Sequence, residues 1–351
     1  MFNPKSRLEK RSKVELETGN DEMPDFTEKV PKDVLIHILT FLPLDEAIRS
    51  GILSKKWKDL WRNVTHIEFD EKKLIKPLLQ LLLSRKSGRT KDVTKGTCWY
   101  ALLLHRIMFR HYGDLLSFRI LHSWETILFR EVQSWVKYVL ITKKGVQNLS
   151  LECEPDNGEM GERFLFQYNI PKLNFSNGIF QRLEGYAIVK GYEILAHSAM
   201  VYSSNIIFKN LSTLSMDLDL NHIRDAQDLY SVLQLCTSLQ VLEISLPDFE
   251  NTIIGSSNDY DFPYPISMFW EKQELCYCVH EKLKFVYIKA FKGNELEVEF
   301  VKYLIAKATM MKKVTIFCNT LTEDAENLLS LPKTSTNLSI NFKVNAINIM
   351  N

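Results

Sequence analysis

The chain has 351 residues, 45% hydrophobic and 25% charged, with 44 basic against 43 acidic side chains and a formal net charge of +1. That length suits a small module followed by one large domain or repeat array, and the charge balance gives no general pull toward nucleic acid or a membrane surface. Six cysteines are too sparse for a disulfide framework here and read as reduced thiols of an intracellular protein, in the nucleus, the cytoplasm or both.

Residues 1–29 are polar and split by charge, Lys5 to Lys13 basic and Glu15 to Glu28 acidic. Such a stretch cannot offset its ordering entropy by burial and is predicted to be a disordered tail. It contains no signal-peptide core. The longest apolar run, Leu74 to Leu83, is broken by Lys76, Pro77 and Gln80 and is too short to span a bilayer.

From Val30 to Trp61 the sequence predicts three short helices. Pro31 suits a first turn, Val34, Leu35, Ile38, Leu39, Phe41 and Leu42 recur at helical spacing, and Pro43 stops the element. Asp45 is placed to cap a second helix that Gly51 ends in a left-handed conformation. Ser54 is placed to cap a third, carrying Trp57, Leu60 and Trp61 at i, i+3 and i+4. The apolar face is too broad for a surface helix, and about 32 residues cannot bury it unaided. A partner or the following domain must cover it.

These residues resemble the F-box, the segment by which receptors of SCF ubiquitin ligases attach to a Skp adaptor. The likeness rests on Pro31, Val34-Leu35, Ile38-Leu39, Phe41-Leu42-Pro43, Ala47-Ile48-Arg49, the plant-style run Leu53 to Trp57, and Leu60-Trp61. Val30 stands where the family has Leu, one methylene smaller and worth about 0.8 kcal/mol. Gly51 stands where a small hydroxyl residue is common. The resemblance implies that Pro31, Leu35, Ile38, Leu42, Pro43, Ile48, Leu53 and Trp57 supply apolar contacts, some facing the adaptor and some packing the helices together.

After Trp61 the pattern becomes short strands. Val64-x-x-Ile67-x-Phe69 has the spacing of the strand of a leucine-rich repeat. The spacing returns at Leu115, Val146, Ile170, Leu211, Leu239, Leu283 and Met311, with a weaker copy at Leu338 and Ile340. Helical faces alternate with these strands: Trp124 to Val139, Leu229 to Cys236, and Leu296 to Ala308. Stacked units of this kind predict an α/β solenoid with a parallel sheet on its inner face. The central strand residues Leu149, Leu173, Leu214, Leu242, Val286 and Val314 lie 24, 41, 28, 44 and 28 apart, so the array is irregular. Insertions are predicted at 177–208, where no clean repeat is visible, and at 247–270. A basic loop carries Arg85, Lys86, Arg89, Lys91 and Lys95.

The run Phe129 to Cys153 resembles the start of the repeats in plant F-box proteins. Residues 270 to 317 resemble their C-terminal FBD region through Trp270, Cys278, Leu283-Lys284, Val286, Ile288, Phe291, Gly293, Glu295-Leu296-Glu297, Tyr303-Leu304, Ala308 and Met311. Ala290 stands where glycine is frequent, which predicts an altered turn before Phe291.

Residue types that carry chemistry are present without the spacing that chemistry needs. Cys276-x-Cys278 lacks both the two-residue gap and the second pair of a zinc site, and His105, His111 and His122 lie in apolar surroundings. No phosphate-binding glycine loop or nucleophile turn is present.

The expected organisation is a tail at 1–29, a three-helix F-box at 30–61, an irregular leucine-rich-repeat region at 62–269 and FBD-like repeats at 270–351. The expected function is non-catalytic, without cofactor or metal. The chain would join a Skp-type adaptor, and through it a cullin and a RING protein, to an unknown target protein, with no nucleic acid or membrane partner. Tyr260, Phe262, Tyr264 and Trp270, an aromatic cluster ending a flexible loop, are the predicted target contact. The alternatives are a scaffold that binds the adaptor without ubiquitination, or a repeat protein whose helical cap no longer binds one.

Overall fold

A computed structural model of the chain describes residues 29–71, 73, 91–123, 129–154, 172–174, 183, 185–190, 193–195, 208–247 and 265–344. Tyr260, Phe262 and Tyr264, the apolar run at 74–83 and Trp124, Ile127 and Leu128 lie outside these residues. Lys91 and Lys95, expected in a basic loop, instead belong to a helix, Lys91–Arg110.

Two helices open the described chain, α1 (Lys32–Leu39) and α2 (Leu44–Arg49). Each begins directly after a proline in extended geometry, because Pro31 and Pro43 cannot continue a helix backwards but fix the entry of one. Asp45 therefore lies within the first turn of α2 and is not its cap. The expected third helix is a chain of tighter turns: Ser50–Ile52 and Leu60–Asn63 are 3-10 helices, with Trp57 N–H bonded to Ser54 O and Leu60 N–H to Trp57 O, both at 3.2 Å. Three residues per turn places Trp57 and Leu60 on one side, and both are buried. Gly51 is not left-handed; its backbone passes Lys58 so closely that a Cβ would sit 3.0 Å from Lys58 Cα.

The rest of the described chain is built on strands β1 (His66–Asp70), β2 (Ser117–Ser123), β3 (Asn148–Glu154), β4 (Lys172–Asn174), β5 (Gly185–Lys190), β6 (Glu193–Leu195), β7 (Leu211–Asp217), β8 (Val241–Ser245), β9 (Phe285–Phe291), β10 (Lys313–Cys318) and β11 (Ser339–Val344). Nine of them form one sheet in the order β1-β2-β3-β5-β7-β8-β9-β10-β11, every pair parallel. The register stacks apolar side chains: Ile67, Phe118, Leu149, Ala187, Leu214, Leu242, Val286, Val314 and Ile340 face one another across the nine strands, and all are buried. This ladder is the centre of the core, and the helices Phe129–Thr142, Ile223–Leu235 and Glu295–Lys307 bury their apolar stripes in the same cluster. The architecture is the expected leucine-rich-repeat type of α/β array.

The strand expected around Leu173 exists as β4, but it pairs with β6 in a separate two-stranded sheet. The main sheet is continued by β5, from the interval where no repeat was visible. Its pattern is Leu183, Ala187 and Val189, four residues then two, because Gly185 adopts φ 121° and the register slips between Gly185 and Tyr186. A Cβ at Gly185 would lie 2.5 Å from Gln147 O, so only glycine fits.

Candidate interaction surface

α1 carries two neighbouring apolar stripes. Leu35 and Leu39, one turn apart, are buried against the following turns. The stripe beside them, Val34, Ile38, Phe41 and Leu42, continues the same spacing into the turn after the helix and is 46%, 44%, 75% and 38% exposed. The 3-10 turn after α2 adds Ile52 at 86% and Leu53 at 74%. Six large apolar side chains held outward by a module this small are a strong mark of an interaction surface. The Phe41 ring is held edge-on to His37, 5.0 Å between centroids, which fixes its direction.

The residues named from the sequence divide accordingly. Leu35 and Trp57 are buried and hold the turns together, and Ile48 is half-buried against the core. Pro31, Ile38, Leu42, Pro43 and Leu53 are exposed. Val34, Phe41 and Ile52 share the outward surface although no contact role was assigned to them; the i, i+4, i+7 spacing of Val34, Ile38 and Phe41 groups them on one face without telling whether that face is covered. Val30 is half-buried, and its carbonyl accepts from Lys56 Nζ at 2.8 Å.

This module is stitched to the repeats by backbone bonds. Arg62 O accepts from Tyr112 N–H and Gly113 N–H at 3.1 Å, and Thr65 O accepts from Leu116 N–H at 2.8 Å. His111 Nε2–H donates to Val64 O at 2.8 Å, and Lys143 Nζ donates to His111 O at 2.6 Å. A Cβ on Gly113 would sit 2.7 Å from Asn63 Cα, so glycine is what lets the two backbones meet. Arg62 caps the junction, its guanidinium 5.9 Å from the ring centroids of both Trp61 and Tyr112.

At the other end of the chain Trp270 is fully buried, its ring 4.7 Å from Phe300 and 5.5 Å from Tyr303. It is a core anchor of the C-terminal repeats with no face left for an outside molecule. Cys276 and Cys278 are buried too: burial pushes the Cys276 thiol up to about 11 and Cys278 higher still, and Cys278 Sγ donates to Leu233 O at 3.0 Å. Thiols held protonated in this way are poor nucleophiles and poor metal ligands. His105 accepts from Trp135 Nε1–H at 3.2 Å. Among the described residues no three His, Cys, Asp or Glu side chains converge on a possible metal position. A recess of about 210 Å³ lies under α1, lined by Lys32, Lys55, Lys56, Asp59, Leu60, Asn63 and Tyr112. No helix among the described residues is long and apolar enough to cross a membrane.

The described chain is thus a helical module presenting an apolar surface, joined by backbone bonds to a parallel-sheet repeat array. Comparison with known proteins gives the module its family: residues 28–67 match the F-box domain and residues 271–316 match FBD. An F-box protein of Arabidopsis thaliana is 31% identical over 120 residues, 34% of this chain and 22% of that protein. An F-box/LRR-repeat protein of the same plant is 27% identical over 165 residues, 46% of this chain and 33% of the relative. An F-box/FBD/LRR-repeat protein, also from Arabidopsis thaliana, is 43% identical over 51 residues, 14% and 12% of the two chains. The chain thus carries an F-box and an FBD region, and its relatives are plant F-box, LRR-repeat and FBD proteins. The alignments with these relatives span only 12% to 33% of their lengths.

Proposed function

We propose that this chain is the target-recognition subunit of an SCF-type ubiquitin ligase. Residues 30–61 dock on a Skp-type adaptor, which brings a cullin and a RING protein, and the array at 62–269 with the FBD-like repeats at 270–351 holds the target. The chain itself is non-catalytic; ubiquitin chemistry belongs to the other subunits. The observation that supports this reading most is the outward stripe of α1 with Ile52 and Leu53, an apolar surface left exposed among the described residues while the neighbouring stripe, Leu35 and Leu39, is buried. An adaptor interface of standard size buries on the order of 1,600 Å² in total, which offsets the exposure of such a surface. The backbone junction at Arg62, Val64 and Thr65 suits the role, because a ligase must hold its target at a set distance from the transferring subunit.

The test is co-expression with a plant Skp-type adaptor followed by pull-down, comparing the intact chain with an Ile38→Asp, Leu53→Asp variant. Retention of the adaptor by the intact chain and its loss from a variant that melts normally supports the receptor reading. A folded, soluble intact chain that retains no such adaptor overturns it.

A further inference from the structure

Side chains that alternate away from the core form the open inner face of the sheet. Charge is arranged unevenly along it. At the β1–β3 end the cations are already used: Arg119 lies between Glu68 at 3.2 Å and Glu152 at 3.0 Å, Ser150 Oγ–H donates to the same Glu152 carboxylate at 2.6 Å, and Lys73 sits 3.1 Å from Asp70. At the β8–β11 end Lys289 pairs with Glu243. Lys313 and Lys343 meet no carboxylate among the described residues. Lys343 Nζ lies instead over the Phe317 ring, 5.2 Å from its centroid.

The positions of these two lysines are set by register. Phe317 pairs with Lys343, and Lys313 precedes Phe317 by four residues on the same face of β10, roughly 13 Å along the strand. Between them Thr315 pairs with Tyr287 on one side and Asn341 on the other. Thr315 Oγ1 is buried without a hydrogen-bond partner, at the centre of the face.

We infer that this end of the sheet binds an extended acidic segment of a partner protein, with carboxylates four residues apart engaging Lys313 and Lys343 and the chain between them lying across the strands at Thr315. The inference rests on the reading of the repeats as the target-holding part and gives that target a chemistry. Charge complementarity selects the occupant: the face offers two uncompensated cations beside half-buried aromatic rings, while the acidic groups at its other end are already paired. An extended chain matches because its side chains repeat on one face every second residue, so positions i and i+4 span the same 13 Å or so as the lysines.

The test is selection of a displayed random dodecapeptide library against the full chain co-expressed with its adaptor, repeated with a Lys313→Glu, Lys343→Glu variant. Lys343 is exposed and Lys313 half-buried, so the variant is first compared with the parent by thermal melt, and Lys313→Gln, Lys343→Gln replaces it if the charge reversal unfolds the chain. The expected result is enrichment of Asp and Glu at i, i+4 spacing, with selected peptides binding the variant about tenfold more weakly. No acidic enrichment, enrichment that survives the charge reversal, or lysine-dependent binding of a single-stranded oligonucleotide in place of the peptides would overturn it. Adaptor retention, read in the same preparation, separates the two readings: a chain that holds its adaptor and selects no acidic peptide sinks this inference alone.

Discussion

Asn221 Nδ2 donates to Glu297 Oε1 at 2.8 Å, tying together residues 76 apart in sequence. Asn221 lies in the turn after β7, and Glu297 in the first turn of the helix after β9, so the bond spans the intervening β8 at the carboxyl end of the sheet. Glu297 is fully buried, and its other oxygen accepts from Lys292 N–H at 2.8 Å and Gly293 N–H at 3.0 Å. It stands three residues after the helix N-cap Asn294, where a glutamate reaches back to free backbone donors.

Removing that carboxylate strands two backbone N–H groups and takes from the half-buried Asn221 amide the nearer of its two acceptors, leaving Asp219 Oδ1 at 3.3 Å. Glu297→Ala is expected to cost about 3 kcal/mol and Asn221→Ala about 1–2 kcal/mol by urea denaturation. The double variant should recover about 0.5–1 kcal/mol of the summed loss, since each single change removes the other residue's shortest side-chain bond while Asn221 keeps Asp219 and Glu297 keeps Lys292, Gly293 and Asn294. Simple additivity would show that the two residues act independently, against the geometry.

The junction between the helical module and the repeats should be acid-labile through His111. Burial, with the Lys143 ammonium nearby, holds its imidazole down at about 4 from an ordinary 6.5. Below about pH 6.5 the unfolded chain takes up a proton that the folded chain refuses. This contribution to stability is therefore complete above that pH and is lost as pH falls toward about 4, at about 1.4 kcal/mol per unit and roughly 3 kcal/mol in all. His111→Gln keeps a donor for Val64 O and removes the proton. Urea midpoints from pH 7 to 4.5 should fall more steeply for the parent than for the variant, and parallel slopes would exclude His111 as the source.

Ala290 occupies backbone made for glycine. Its φ is 56°, the only positive value at a non-glycine position among the described residues, and β9 carries one extra residue there, with Ile288 opposite Ile316 but Phe291 opposite Cys318. The turn before Phe291 thus uses a left-handed residue, and alanine holds it under strain of about 1–2 kcal/mol. Ala290→Gly is expected to raise stability by up to about 1 kcal/mol, the gain reduced by the greater freedom glycine gives the unfolded chain. Ala290→Val should destabilise, because a branched side chain fits that backbone worse. A thermal melt in which the glycine variant falls below the parent would refute the strain.

What the sequence made legible follows from how regular each element is. Strands whose buried side chains are large and evenly spaced, such as Leu211, Leu214 and Met216, could be read directly, as could the helix stripes facing them. β5 could not, because its ladder position is the small Ala187 and the bend at Gly185 inserts a residue into the spacing. β4 was misplaced for the converse reason: a matching local pattern says nothing about which strand it will pair with. The capping role of Glu297 is written in the Asn294-x-x-Glu297 spacing, whereas Asn221 is brought to it only by the stacking of repeats. The division of the F-box residues into inward and outward sets was hidden because every one of them is apolar. Sequence reports hydrophobicity, and only the fold tells which side is covered.

That division gives the sharpest test of the surface, because Ile38 and Leu39 are adjacent on α1 and face opposite fates. Leu39 is buried, and Leu39→Ala should cost about 2–5 kcal/mol through lost contacts and the cavity left behind. Any loss of adaptor it causes should disappear on cooling or on stabilising the fold. Ile38 is 44% exposed and gives up less packing, and Ile38→Asp should leave the stability of the free chain within about 1 kcal/mol of the parent, part of that from an acidic group in the last turn of α1. A carboxylate at that position would be trapped without a partner if the stripe is covered on binding, so the adaptor should be lost from a chain that is still folded. Leu53→Asp, on the 3-10 turn, should behave like Ile38→Asp and not like Leu39→Ala. If Ile38→Asp lowers stability as far as Leu39→Ala does, both stripes are packed within the chain, and the case for a docking surface on α1 is gone.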